Sequence, residues 1–191
     1  MATRNSRRGF TLIELLIVVG IISILIVVLF VAILPWLKKS EDKASRTLLQ
    51  QIGGALSADK VSLSIKKFKK DAGSNLSGRI AADEDLASSQ MMLFYAAPTR
   101  EVWDQSTLYK DRNYAPKLQP QEFTKFTRDE GGKLPYLVDA WETPLKYKYE
   151  KIFDGGIIIS AGADKMFGNP DDLIYDPRNN TVKTREEMNE K

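Results

Sequence analysis

From Leu15 to Leu37 the chain holds 23 consecutive residues without a charge, beginning only 14 residues from the N-terminus. As a helix rising ~1.5 Å per residue, this run is about 35 Å long. A bilayer hydrocarbon core of roughly 30 Å accommodates that length with some tilt. A secretory signal has a shorter apolar core, about 7–15 residues, and ends at small residues. Here the run ends in Pro35, Trp36, Lys38 and Lys39. The pattern predicts an uncleaved single-pass helix with Trp36 and the lysines at the far interface. Arg4, Arg7 and Arg8, with no acid among residues 1–9, place the N-terminus in the cytoplasm and the remainder across the membrane.

Composition excludes several chemistries. The 191 residues contain no cysteine and no histidine. Disulfides, thiolate zinc sites, cysteine nucleophiles and Ser-His-Asp catalysis are therefore absent. A mean hydropathy of −0.29 rules out a polytopic membrane protein. Glu14 lies at the edge of the apolar run. An ionised carboxylate at a bilayer centre costs ~2.5–3.5 kcal/mol or more, so Glu14 is either solvated at the headgroups or paired with a buried cation.

The stretch Arg7-Arg8-Gly9-Phe10-Thr11-Leu12-Ile13-Glu14, followed by the apolar run, resembles the class III leader junction of type IV pilins and type II secretion pseudopilins. The resemblance implies cleavage between Gly9 and Phe10 by a prepilin peptidase and N-methylation of Phe10. It also implies that Glu14 pairs with the Phe10 ammonium of a neighbouring subunit. Physical chemistry agrees with it. Gly9 lets an extended backbone enter a protease cleft. A Glu in a low-dielectric helix bundle is penalised unless a cation meets it, so a subunit docked out of register would strand both charges. Loss of the three leader arginines takes 28 basic residues to 25, against 25 acidic. The basic pI therefore belongs to the leader and gives no reason to expect nucleic-acid binding by the mature chain. Family members often carry a helix-kinking proline about one turn earlier than Pro35, the only proline of this segment.

Beyond Lys39 the apolar residues Ala44, Leu48, Ile52, Ala55 and Leu56 recur at helical spacing. One helix is expected to continue to about Lys70, packing a narrow stripe on a sheet. Gly53-Gly54 weakens it, or marks a close approach of another backbone. Lys60, Lys66, Lys67, Lys69 and Lys70 surround Phe68. They read as a solvated helix end complementing the dipole, since no nucleic-acid recognition motif accompanies them. Residues 83–97 predict a helix stopped by Pro98, followed by a loop-rich stretch through Pro116 and Pro120. Trp103, Tyr109, Tyr114, Phe123 and Phe126 read as packing groups.

Residues 137–147 resemble the D-P-W-G-N-P-x-x-Y segment of major (G-type) pseudopilins at Asp139, Trp141, Pro144 and Tyr147, and depart from it at Ala140, Glu142 and Thr143. Alternation over 146–149, the turn Asp154-Gly155-Gly156, the apolar run 157–160 and a third segment at 173–175 predict a small antiparallel sheet. Between the last two strands, Asp164, Asp171 and Asp172 place three carboxylates within nine positions. Composition leaves two readings open: turn formers bonding their own backbone, or hard oxygen ligands for Ca²⁺. The resemblance points to calcium, because major pseudopilins have a calcium-binding loop here whose acids correspond to Asp164, Asp171 and Asp172. Residues 176–191 are polar and are expected to form a mobile tail.

The reading is thus an α+β, pilin-like chain. Residues 1–9 form a cytoplasmic leader, 10–37 a transmembrane and filament-core helix, 38–175 a periplasmic globular domain, and 176–191 a tail. The implied function is that of a non-enzymatic type II secretion pseudopilus subunit in the bacterial inner membrane, polymerising into a helical filament. Its implied partners are the prepilin peptidase/N-methyltransferase, the inner-membrane assembly platform and minor pseudopilins. The calcium-type loop and the lack of a cysteine pair favour this over a type IV pilin for adhesion or DNA uptake; a minor pseudopilin is a further alternative. A membrane-tethered hydrolase using paired carboxylates would leave the leader junction unexplained.

Overall fold

A computed structural model describes residues 11–57, 63–110, 118–153 and 155–189. The chain divides into two compact units, Met1–Ser40 and Glu41–Lys191, and the boundary falls inside helix α1 (Leu12–Ser57). In the first unit, every described residue from Thr11 to Ser40 is exposed. Among the described residues α1 is the one helix long and apolar enough to cross a membrane. Pro35 lies within it and does not end it.

The second unit builds its core on the C-terminal part of α1. Of the helical stripe read from the sequence, Leu48, Ile52 and Leu56 are buried and Ala44 and Ala55 half-buried; Leu49, not part of that stripe, is buried with them. The helix does not continue to Lys70. It is described as far as Ser57, and α2 (Ile65–Ala72) starts afresh at Ser64, whose hydroxyl accepts from the Lys67 N–H. A serine side chain that satisfies a free N–H favours a new helix start over continuation. The short α3 (Ser74–Ser77) follows, then α4 (Glu84–Ala96). Asp83 caps α4, its carboxylate accepting from the Leu86 N–H at 2.8 Å. All ten residues of α4 from Ala87 to Ala96 are buried, so this helix is a central strut.

The stretch expected as loops holds α5 (Arg100–Gln105), capped by Thr99, α6 (Thr107–Lys110) and a 3₁₀ turn at Pro120–Phe126. Its aromatic residues pack as expected. Trp103 stacks on Tyr109 at 4.6 Å, Phe94 lies 5.4 Å from Tyr109, and Phe123 is buried. Tyr114 lies outside the described residues.

Two antiparallel sheets complete the unit. The smaller pairs β1 (Thr127–Arg128) with β2 (Tyr136–Leu137). The larger has the order β3 (Lys146–Glu150), β4 (Gly155–Ser160), β5 (Leu173–Asp176), β6 (Thr181–Thr184). Three of these strands follow the sequence reading. The fourth comes from the expected mobile tail, which pairs with β5 in the register Ile174↔Lys183 and Tyr175↔Val182, then forms α7 (Arg185–Asn189). Polar composition misled here because an edge strand is half-solvated and needs few apolar residues.

Pairing sets which side chains share a face. Ile158 opposes Tyr175, and both join the core with the α1 residues Leu48, Leu49 and Ile52. Ile157, Ile159 and Ile174 form a second cluster, covered by Phe153, Phe167 and Met188 of α7. The Gly53-Gly54 pair does mark a close approach, to a side chain. A Cβ on Gly53 would stand 2.4 Å from a ring carbon of Tyr175.

Candidate functional site

At the start of α1, Thr11 and Glu14 form a reciprocal capping box. The Thr11 N–H and hydroxyl donate to Glu14 Oε2 at 2.9 and 2.8 Å. The Glu14 N–H donates back to Thr11 Oγ1 at 3.3 Å. The carboxylate also faces the positive end of the helix dipole. Within its own chain Glu14 is thus committed to closing the helix. Gly9 and Phe10 lie outside the described residues. From Leu12 to Leu37 the helix presents Leu, Ile, Val, Phe and Trp side chains on all sides, as a helix surrounded by lipid or by other helices must.

Residues 4–30 match the family model described as the prokaryotic N-terminal methylation motif. The N-terminus is a type IV pilin-like prepilin leader. Such a leader is processed by prepilin peptidase, and together with the apolar helix it is consistent with a single-pass inner-membrane protein. Neither a curated protein nor a solved structure matches the chain.

A second constellation gathers around the turn that resembles the pseudopilin segment. Asp139 is buried and holds the turn. Its Oδ1 accepts from the Trp141 and Thr143 N–H groups at 3.0 and 2.9 Å, and its Oδ2 from the Ser160 hydroxyl at 2.7 Å. Burial raises its pKa, against the lowering effect of these hydrogen bonds. The Ala140 N–H donates to Ser45 Oγ of α1 at 3.0 Å. Glu142 stands at φ 67°, in the left-handed region, where the resembling segment has glycine. Its carboxylate pairs with the Arg128 guanidinium, one bond of 2.6 Å joining Nε to Oε2.

The loop from Ala161 to Asp172 contains the three proposed calcium ligands, and the structure places them differently. Asp164 is exposed and serves as a turn former. Its oxygens accept from the Met166 N–H at 2.8 Å and the Asn169 side-chain amide at 2.5 Å. Asp171 is exposed, and its carbonyl and Oδ2 would each stand 2.7 Å from a Cβ on Gly162, whose φ is +69°. The loop therefore pinches shut at Gly162, where no side chain fits. Asp172 is fully buried. Its Oδ2 accepts from the Gly168 N–H at 2.8 Å and from Arg185 Nε and Nη2 at 3.0 and 2.8 Å. Its Oδ1 is buried with no hydrogen-bond partner among the described residues. No group of three or more acidic side chains converges there as a ready-made metal cage. The three acids are thus held apart in their roles, Asp164 by its own turn and Asp172 by Arg185.

Sequence reasoning missed Arg185. The signal was present in Thr184-Arg185-Glu186-Glu187, which has the capping-box pattern of a helix start. The Thr184 N–H donates to Glu187 Oε2 at 2.8 Å, and the Glu187 N–H to Thr184 Oγ1 at 3.2 Å. Of the basic cluster, Lys66, Lys69 and Lys70 are exposed on α2, while Lys67 approaches Asp71 at 3.8 Å and lies 5.3 Å from the Tyr95 ring centroid. Lys69 and Lys70 occupy the last turn, where cations complement the helix dipole. Lys60 lies outside the described residues.

Proposed function

We propose that this chain is a structural, non-catalytic subunit of a type II secretion pseudopilus. It is inserted in the inner membrane with its leader in the cytoplasm, cleaved after Gly9, methylated on Phe10 and drawn by the assembly platform into a periplasmic filament. Minor pseudopilins are its expected companions. The observation that supports this best is the methylation motif over residues 4–30 joined to a helix whose apolar side chains from Leu12 to Leu37 are all exposed in the single chain. Such a surface is stable only against lipid tails or the same helix of other subunits. Head-to-tail contacts between identical subunits generate a helical filament.

On this reading Glu14 exchanges its capping-box role for the Phe10 ammonium of a neighbour. On the resemblance the loop ending at Asp172 takes calcium through Asp172 Oδ1 and Asp171, and Asp164 joins them only by leaving the turn in which it accepts from Met166 and Asn169. An extracytoplasmic loop of this kind needs only an affinity of ~10⁻⁴ M to be filled. Two measurements test the proposal. Mass spectrometry of the mature protein should find an N-methylated Phe10 as its first residue. Deletion of the gene should stop protein secretion while leaving surface pili intact; a retained Met1, or a loss of pili with normal secretion, defeats it.

A further inference from the structure

Helix α2 is electrostatically at odds with itself. Lys66, Lys69 and Lys70 stand at i, i+3 and i+4, so they share one face, and all three are exposed. Like charges at that spacing weaken a helix. The dipole suits Lys69 and Lys70 in the last turn. Lys66 lies in the first turn, which holds no acid and where a cation is repelled. Among the described residues the one ion pair of α2 joins Lys67 to Asp71, and Lys66, Lys69 and Lys70 have none. Phe68 and Ala72 on the other side are buried, so packing decides that the lysines face outward. A local conflict held in place by the fold points to a use beyond the helix's own stability.

The complement lies in the same chain. α2 has four lysines and one aspartate, a net +3, whereas the chain after Gly9 is formally neutral, so the rest of it is negative. Its densest acid is Asp83-Glu84-Asp85, the one run of three consecutive acids in the sequence. Asp83 caps α4, Asp85 meets Lys146 at 2.8 Å, and Glu84 is exposed with no ion pair among the described residues.

We propose that α2 is the basic half of a contact between two copies of this chain, its lysine face meeting the Asp83-Glu84-Asp85 corner of the next copy. The two halves are different surfaces, so the contact is head-to-tail and repeats from copy to copy. This rests on the filament reading above and adds where unlike charges draw subunits together. Exposed ammonium groups act chiefly on the rate and orientation of encounter and add little to the strength of the finished contact. The face therefore steers subunits that a shared membrane already confines.

The lack of cysteine in the chain makes the test direct. Two full-length chains, one with Lys69→Cys and the other with Glu84→Cys, are reconstituted together in phosphatidylcholine vesicles, where no lipid supplies the anion, and oxidised briefly. The mixed 69–84 dimer should form at least ~10-fold faster than the 69–69 and 84–84 dimers. At about 1 M salt, where the screening length is ~3 Å, that excess should vanish. Lys66→Gln with Lys70→Gln in the first chain should also remove it, while Lys66→Arg with Lys70→Arg keeps it. The glutamines relieve a like-charge pair, so the melting temperature should hold or rise slightly, which separates lost steering from lost folding. If they unfold the chain instead, the salt and arginine arms still decide. Equal rates for mixed and like dimers, or an excess that salt leaves untouched, overturn the contact. If filaments of the wild-type chain are nonetheless seen by electron microscopy, the contact alone is struck; if the wild-type chain forms none, the reading beneath it falls as well.

Discussion

Gly53 and Gly54 are neighbours in one helix, yet substituting them should act in opposite directions. A Cβ on Gly53 would stand 2.4, 2.5 and 2.6 Å from three ring carbons of Tyr175, where ordinary contact is 3.4–4 Å. Helix and ring would have to part by about 1 Å. The ring cannot swing away, because Tyr175 is buried in β5 between β4 and β6. Overpacking of this kind costs ~1–3 kcal/mol. Alanine returns ~1 kcal/mol through helix propensity. With the ring held on both sides the upper end of the range applies, giving a net loss of about 2 kcal/mol for Gly53→Ala. A Cβ on Gly54 meets only the Asn180 side chain, at 3.4 Å. Gly54→Ala should keep most of its propensity gain, just under ~1 kcal/mol. At roughly 2–4 °C per kcal/mol for a unit of this size, Gly53→Ala lowers the melting temperature by about 4–8 °C and Gly54→Ala raises it by about 2–3 °C. Tryptophan fluorescence of the full chain in micelles reports it, through Trp103 and Trp141. Equal shifts, or a rise in Gly53→Ala, would refute the packing argument.

Glu14→Leu should leave membrane insertion intact and sharply reduce the filament recovered by shearing and seen by electron microscopy; normal yield counts against a role in assembly. At position 142, Glu142→Gly removes a left-handed strain of ~1–2 kcal/mol and a surface ion pair of ~0–1 kcal/mol, so urea unfolding should show little change or a small gain. Glu142→Val loses the pair and deepens the strain, and should cost about 2 kcal/mol in the same assay. Burial raises the pKa of Asp139 above its ordinary 3.8, so the folded state binds its proton more tightly than the unfolded chain does. That contribution makes stability fall as pH rises from about 3.8 through the raised value, and stay lower above it. Asp139→Asn, which keeps acceptors for Trp141 and Thr143, should abolish this slope; an unchanged pH profile of the unfolding free energy would show that Asp139 is not its source.

The legible parts of this chain were those where one physical demand governs many residues in a row. An uncharged run long enough for a bilayer has few alternatives, and the Leu48–Ile52–Leu56 stripe has one buried face. The strands 146–150, 155–160 and 173–176 showed themselves by alternation and by β-branched residues. Features resting on one side-chain hydrogen bond were harder to see. Ser64 starts a new helix where the lysine-rich pattern suggested continuation. Thr181–Thr184 pairs as an edge strand although Val182 is its one apolar residue. Asp164 and Asp172 looked equivalent in the sequence. The fold separates them by giving one to its own turn and the other to Arg185, 13 residues further on.

Glu14 shows why such separations matter to function. In the single chain its carboxylate already has two donors from Thr11 and a favourable dipole, so it is not waiting for a partner. Removing a capping interaction costs ~0.5–2 kcal/mol. On the proposed function, a neighbour's ammonium has to better that arrangement and not merely relieve a bare charge. The surplus is large only where lipid and neighbouring helices exclude water and the pair meets at close range. A subunit one step out of register offers no such geometry, and Glu14 would then stay with Thr11. The capping box therefore lowers the penalty that Glu14 meets in a wrong register, and the discrimination left to this residue is the surplus of the ammonium pair over the capping box.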